Sequence, residues 1–111
     1  MPDKYDADLF KLKAELCKTF SDPKRLIIIS ELRGGEKSVG ELVAALQTPQ
    51  AAISRHLAVL RHRGVVQARR DGVSMYYSLT SPKIVEACDI VHEVLLDQMA
   101  RSRAIADKLI L

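Results

Sequence analysis

The chain has 111 residues, 48% of them hydrophobic and 28% charged, with a net charge of +3; this is ordinary globular composition for one domain and excludes a disordered tail or a fibrous repeat. The longest aliphatic runs, such as Leu26–Ile29 and Val43–Leu46, span four residues, far short of the ~20 that cross a bilayer, so no membrane partner is expected. Met1–Asp6 has no basic start followed by an apolar stretch, and the cysteines are only two, Cys17 and Cys88, so a cytoplasmic location with reduced thiols is expected.

Leu9, Leu12, Leu16 and Phe20 recur at helical spacing and predict an amphipathic helix over 7–20, with Lys11, Lys13 and Lys18 away from the core. Ser21-Asp22-Pro23 offers an N-cap and a first-turn proline for a second helix running to Leu32. Its crowded apolar residues, Leu26, Ile27, Ile29 and Leu32, predict a heavily buried central element, which Gly34-Gly35 ends. Ser38 and Glu41 stand at capping-box spacing before Val39, Leu42, Val43 and Leu46, a short third helix. Thr48 and Pro49 predict the cap and first turn of a fourth, whose apolar face is Ile53, Leu57 and Leu60 and whose stop is Gly64.

Two short helices joined by a tight turn make residues 38–64 a helix-turn-helix candidate. The β-prone segments Val65–Arg70 and Val73–Leu79 flank Asp71-Gly72, predicting a hairpin wing over 65–80 in which Met75, Tyr76 and Tyr77 pack. From Ser81-Pro82 onward, Ile84, Cys88, Val91, Leu95 and Met99 keep helical step, predicting a long helix over 82–105 that Ile90 and Val94 make apolar on more than one side. Such excess is expected to be covered by a second copy, giving a homodimer built from the first and last helices. The fold class is therefore mainly α with a small β-hairpin wing: one winged helix-turn-helix domain over 1–111.

Charge follows the same organisation. Between Gln47 and Thr80, Arg55, Arg61, Arg63, Arg69 and Arg70 face one acid, Asp71, a net +4, which leaves −1 for the rest of the chain. Arginine concentrated in one third of the chain points to a polyanionic partner, double-stranded DNA. The exposed side of the fourth helix carries Gln50, Ser54, Arg55 and His56, hydrogen-bonding groups suited to base edges and phosphates. Gln50 and Ser54 are the expected base readers, Arg55 a base or phosphate contact, and Arg69 and Arg70 phosphate contacts from the wing. Arg61 and Arg63, near the helix C-terminus, suit its dipole.

The runs TFSDPKRLIIISEL (Thr19–Leu32), SVGELVAALQTPQAAISRHLAVLRHRGVV (Ser38–Val66) and ARRDGVSMYYSL (Ala68–Leu79) resemble the ArsR/SmtB family of bacterial and archaeal repressors, in order and without large gaps from about Leu9 to Leu96. The resemblance implies a dimeric repressor that binds an imperfect inverted repeat and releases it when an inducer binds. It does not carry over the family's sensing sites. Where arsenic and cadmium sensors place two thiols this chain has Ser38 and Gly40; where zinc and nickel sensors place their ligands it has Ser81, Lys83, Val94 and Asp97; where persulfide sensors place a cysteine it has Ser30. Cys17 and Cys88 remain, on the two expected interface helices, with His92 one turn after Cys88. Thiols there could hold a soft metal or metalloid ion, or bind none and oxidise instead; against this, a cysteine on an apolar helix face is also a small core hydrophobe, and a histidine beside it a hydrogen-bonded one.

Three other readings compete. An enzyme is disfavoured: the sequence has no glycine-rich phosphate loop, nucleophile elbow or metalloprotease His pair. A winged-helix module that docks proteins instead of DNA would carry apolar anchors where Gln50, Ser54 and Arg55 stand. A winged-helix repressor with no small inducer is the third alternative, kept open by the absent metal sites.

Overall fold

The structure, a computed structural model, describes residues 4–110; Met1–Asp3, part of the stretch read for a signal, and Leu111 lie outside the described residues. Its elements are α1 (Ala7–Thr19), α2 (Pro23–Glu31), β1 (Lys37–Ser38), α3 (Val39–Leu46), α4 (Gln50–His62), β2 (Val66–Asp71), β3 (Ser74–Leu79) and α5 (Pro82–Ile110). One compact unit ends at Thr80, and α5 makes up the second.

In the first unit, short polar side chains set the helix starts. The Asp6 carboxylate accepts from the backbone N–H groups of Asp8 and Leu9, and that of Asp22 from Lys24 and Arg25 at 2.8 and 3.2 Å, with Pro23 in the first turn. Each thereby satisfies donors that the first helical turn leaves orphaned. Arg25 then turns back and donates from Nε to the carbonyl of Thr19 at 2.7 Å, closing the α1–α2 corner. At Ser38 both halves of the capping box are made.

The core comes from α2 to the start of β2: Ile28 and Ile29 of α2, Leu32 in the 3₁₀ turn after it, Leu42 of α3, Ile53, Leu57 and Leu60 of α4, then Val65 and Val66. Leu26 and Ile27, by contrast, are 41% and 45% exposed. The expectation of a heavily buried α2 therefore holds for one face only, because a nine-residue helix with core on a single side can bury one stripe.

Two local expectations are corrected. Thr48 does not cap α4: the N-cap is Pro49, without a side-chain bond. The Thr48 hydroxyl is committed elsewhere, donating to the Leu46 carbonyl at 2.9 Å and accepting from Lys24 Nζ at 2.8 Å. The wing turn is also one residue later than Asp71-Gly72 suggested. Asp71 pairs with Ser74 inside the ladder, so the two-residue loop is Gly72-Val73, with Gly72 at φ +62°. Positive φ at the first loop position and not at the second is the pattern of a loop that needs glycine first.

The sheet has the order β1-β3-β2, all antiparallel. Its third strand, β1, is a two-residue piece that the sequence reading missed, with Lys37 opposite Tyr77 and Ser38 opposite Tyr76. Thr80 closes the base of the hairpin through its hydroxyl on the Gly64 carbonyl at 2.6 Å and its N–H on that of Val65.

Helix α5 has 29 residues, about 44 Å at 1.5 Å per residue, and runs past the expected end at residue 105. Ile90, Val91, Val94, Leu95, Leu96, Met99, Ile105 and Leu109 are all at least 50% exposed. Among the described residues no helix is long and apolar enough to cross a membrane.

Candidate nucleic-acid interface

Helix α4 buries Ile53, Leu57 and Leu60 and turns its remaining faces outward. At about 100° per residue, Gln50 and Ser54 fall on one flank, Arg55 stands directly away from the core, and His56 falls on the opposite flank. Gln50, Ser54 and Arg55 are exposed, whereas His56 is half-buried and its charge acts on Asp22 at the start of α2. The structure thus brings together three of the four helix residues singled out for DNA and turns the fourth toward the protein. Arg61, eleven positions after Gln50 and close to its line, joins the Gln50–Ser54 flank and is exposed. Its spacing was visible in the sequence, but its place in the last turn suggested only a dipole role.

The wing stands beside the start of this helix. Gln50, together with Ser38, Val39 and Gly40 at the head of α3 and Val73, Ser74 and Met75 at the wing tip, lines a cleft of about 300 Å³. Because side chains alternate along a strand, Arg69 and Arg70 lie on opposite faces of the wing. Arg70, paired with Met75, shares that residue's face; Arg69, paired with Tyr76, takes the other.

Arg69 is held there by Glu36. Its Nη2 and Nε donate to the two carboxylate oxygens at 2.6 and 3.1 Å, and its guanidinium lies 5.0 Å from the Tyr76 ring centre. The hydrogen bond from Arg69 and its charge hold the Glu36 carboxyl below its ordinary pKa, and the same partner pushes Arg69 up. Arg63 is likewise occupied, with Nη1 2.9 Å from the Glu15 carboxylate of α1. Arg55, Arg61 and Arg70 enter no ion pair among the described residues and are exposed. Of the five arginines between Gln47 and Thr80, these three are the ones left to an outside anion.

Lys24 joins α2 to the turn of the helix-turn-helix through Thr48, which is only 8% exposed. Sequence reasoning missed it, as it missed Glu36, because each acts on a residue distant in the chain.

Cys17 is exposed on α1 and Cys88 half-buried on α5; both are thiols, and they belong to separate units. His92 is exposed, one turn from Cys88. Among the described residues no three His, Cys, Asp or Glu side chains group closely enough to hold a metal ion.

A family model described as "Bacterial regulatory protein, arsR family" matches residues 22–68, from the cap of α2 to the first strand of the hairpin. The uncharacterized HTH-type transcriptional regulator Rv0081 of Mycobacterium tuberculosis is 39% identical over 102 residues, covering 91% of this chain and 90% of that protein. Its crystal structure superposes with a TM-score of 0.79 at 40% identity, over 86% of this chain and 96% of the other. A biofilm growth-associated repressor of Xylella fastidiosa is 36% identical over 85 residues, 77% of this chain and 75% of that one. The homodimeric winged helix-turn-helix DNA-binding domain Mb0332 of Mycobacterium bovis matches with a TM-score of 0.78 at 27% identity, over 89% of this chain and 94% of that one.

Proposed function

This chain belongs to the ArsR family of bacterial regulatory proteins, and from that membership we propose that it is a transcriptional repressor that binds an inverted-repeat operator as a homodimer. Its character as an ArsR-type transcriptional regulator is common ground with its relatives; the operator, the assembly and the release are the proposal. The observation that carries it is the polar surface of α4, where Gln50, Ser54 and Arg55 are exposed beside a wing whose Arg70 side chain enters no ion pair among the described residues. A helix of this kind fits the major groove with its N-terminal residues on base edges, while a wing arginine reaches the adjacent backbone.

Two copies supply two such helices, which is what a palindromic site requires. The exposed apolar residues Leu9, Leu12 and Leu16 of α1 and Val91, Leu95 and Met99 of α5 support an interface built from these helices, and Mb0332 is homodimeric. Release is assigned to the thiols Cys17 and Cys88. Among the described residues no three His, Cys, Asp or Glu side chains group for a metal ion, so an ion needing three ligands would draw on the second copy, and thiol oxidation is the simpler chemistry.

Fluorescence anisotropy on the DNA immediately upstream of its own coding region, against a mixed-sequence duplex, tests the repressor. The expected result is tighter binding to the upstream DNA when reduced, and release on addition of a hydroperoxide, persulfide donor, copper(I) or arsenite. Equal affinity for both duplexes would remove the operator reading. Release that persists in a Cys17→Ser, Cys88→Ser variant would remove the thiols, and His92 with them as an accessory ligand.

A further inference from the structure

One face of the wing carries a contact that crosses its width. Glu36 stands on the chain entering β1, Tyr76 is on β3, and Arg69 is on β2. Since β3 lies between the other two strands, the Glu36–Arg69 pair reaches over β3, with the guanidinium on the Tyr76 ring. Both oxygens of the Glu36 carboxylate are taken by one edge of the guanidinium, Nε and Nη2. The Nη1 side of the same guanidinium lies 4.0 Å from the Asp71 carboxylate, so two carboxylates of the chain already balance its charge and a phosphate would have to compete with both.

Exposed ion pairs usually contribute little, but a bidentate pair braced on an aromatic ring is the exception. Its position gives it a task. Two residues after Glu36 is Ser38, which pairs with Tyr76 and caps α3. The contact therefore ties the outer wing strand to the segment from which the helix-turn-helix begins.

We propose that Arg69 is a positioning residue and not a DNA contact: with Glu36 and Tyr76 it forms a strap that holds the wing at a fixed separation from α4, leaving Arg70 as the wing arginine that meets phosphate. The proposal rests on the DNA-binding reading above. It divides two adjacent arginines of identical chemistry by the sheet face each occupies.

The test uses the full chain and the variants Arg69→Ala, Glu36→Gln, Arg70→Ala and the reversal Glu36→Arg with Arg69→Glu. Binding to the upstream DNA and to the mixed-sequence duplex is measured across salt concentrations, and hydrogen exchange is followed in β2 and β3. A phosphate contact contributes about 0.9 to the slope of log affinity against log salt. The strap predicts that Arg69→Ala and Glu36→Gln both speed wing exchange and weaken binding several-fold at unchanged slope, that the reversal restores much of both, and that Arg70→Ala alone lowers the slope by about 0.9.

A lower slope in Arg69→Ala, with binding lost in the reversal, makes Arg69 a phosphate contact and overturns the proposal. Wing exchange unaltered in both Arg69→Ala and Glu36→Gln overturns it as well. Wild-type protein that binds neither duplex defeats the DNA reading instead, and the strap is then decided by exchange alone.

Discussion

Asp22 shows how one side chain can serve two neighbours. Partial burial pushes its carboxyl up, but N–H donation from Arg25 and Lys24 and the charges of His56 and Arg25 outweigh this and leave it below its ordinary pKa. A carboxyl depressed in the folded state adds stability above its unfolded pKa and loses it as pH falls through the folded one. Asp22→Asn is therefore expected to flatten the acid limb of stability below about pH 4, with little change in its slope near neutrality, in urea titrations at successive pH values. Arg55 belongs to the same scale: Arg55→Ala is expected to weaken upstream-DNA binding by about 1–3 kcal/mol if it reads a base, and to narrow the gap to mixed-sequence DNA. An unchanged gap would place Arg55 on the backbone. Caps such as Asp22 and Ser38 were legible in the sequence because their partners lie within three residues. The commitments of Thr48 to Lys24 and of Arg69 to Glu36, 24 and 33 positions apart, were not. Composition and period carry no information about such pairings.

At the level of elements, apolar spacing was enough to place all five helices and the hairpin. It failed at β1, where two residues hold no period, and at the wing turn, where Asp71-Gly72 and Gly72-Val73 both carry a glycine. The structure decides between them through the Asp71–Ser74 pair, which leaves Gly72 as the first loop residue, at φ +62° with open space around the position of a Cβ. Substitution there meets no steric neighbour, so its cost is conformational alone. Gly72→Ala is expected to cost about 1–2 kcal/mol of wing stability, seen as faster amide exchange in β2 and β3 with the α2–α4 core unaffected. Equal protection in the variant would mean that the turn relaxes to a form that tolerates alanine.

On the scale of the molecule, α5 carries eight large apolar side chains that are at least half exposed among the described residues. Leu95, 51% exposed, is expected to matter for assembly and little for the fold of one copy. Leu95→Glu should shift sedimentation from dimer to monomer while helical circular dichroism stays unchanged, and DNA affinity should fall with the loss of the second half-site. A dimer that survives Leu95→Glu and an equivalent Leu12→Glu would move the interface off these helices. The sequence could place apolar residues on α1 and α5 but not say which neighbour, if any, each meets, since a face too apolar for water looks the same whether a second copy or the chain itself covers it.

The ion pair between Glu15 and Arg63 sits between these two concerns. Glu15 belongs to α1, the helix assigned to assembly, and Arg63 is the residue that ends α4, the helix assigned to DNA. The far end of the reading helix is thus fastened to the element on which a second copy would press. Linkage makes the traffic reciprocal: whatever operator binding gains from a particular setting of α1, association of the two copies must gain from the operator in equal measure. Cutting that fastening with Arg63→Gln would leave both equilibria in place while making each less aware of the other.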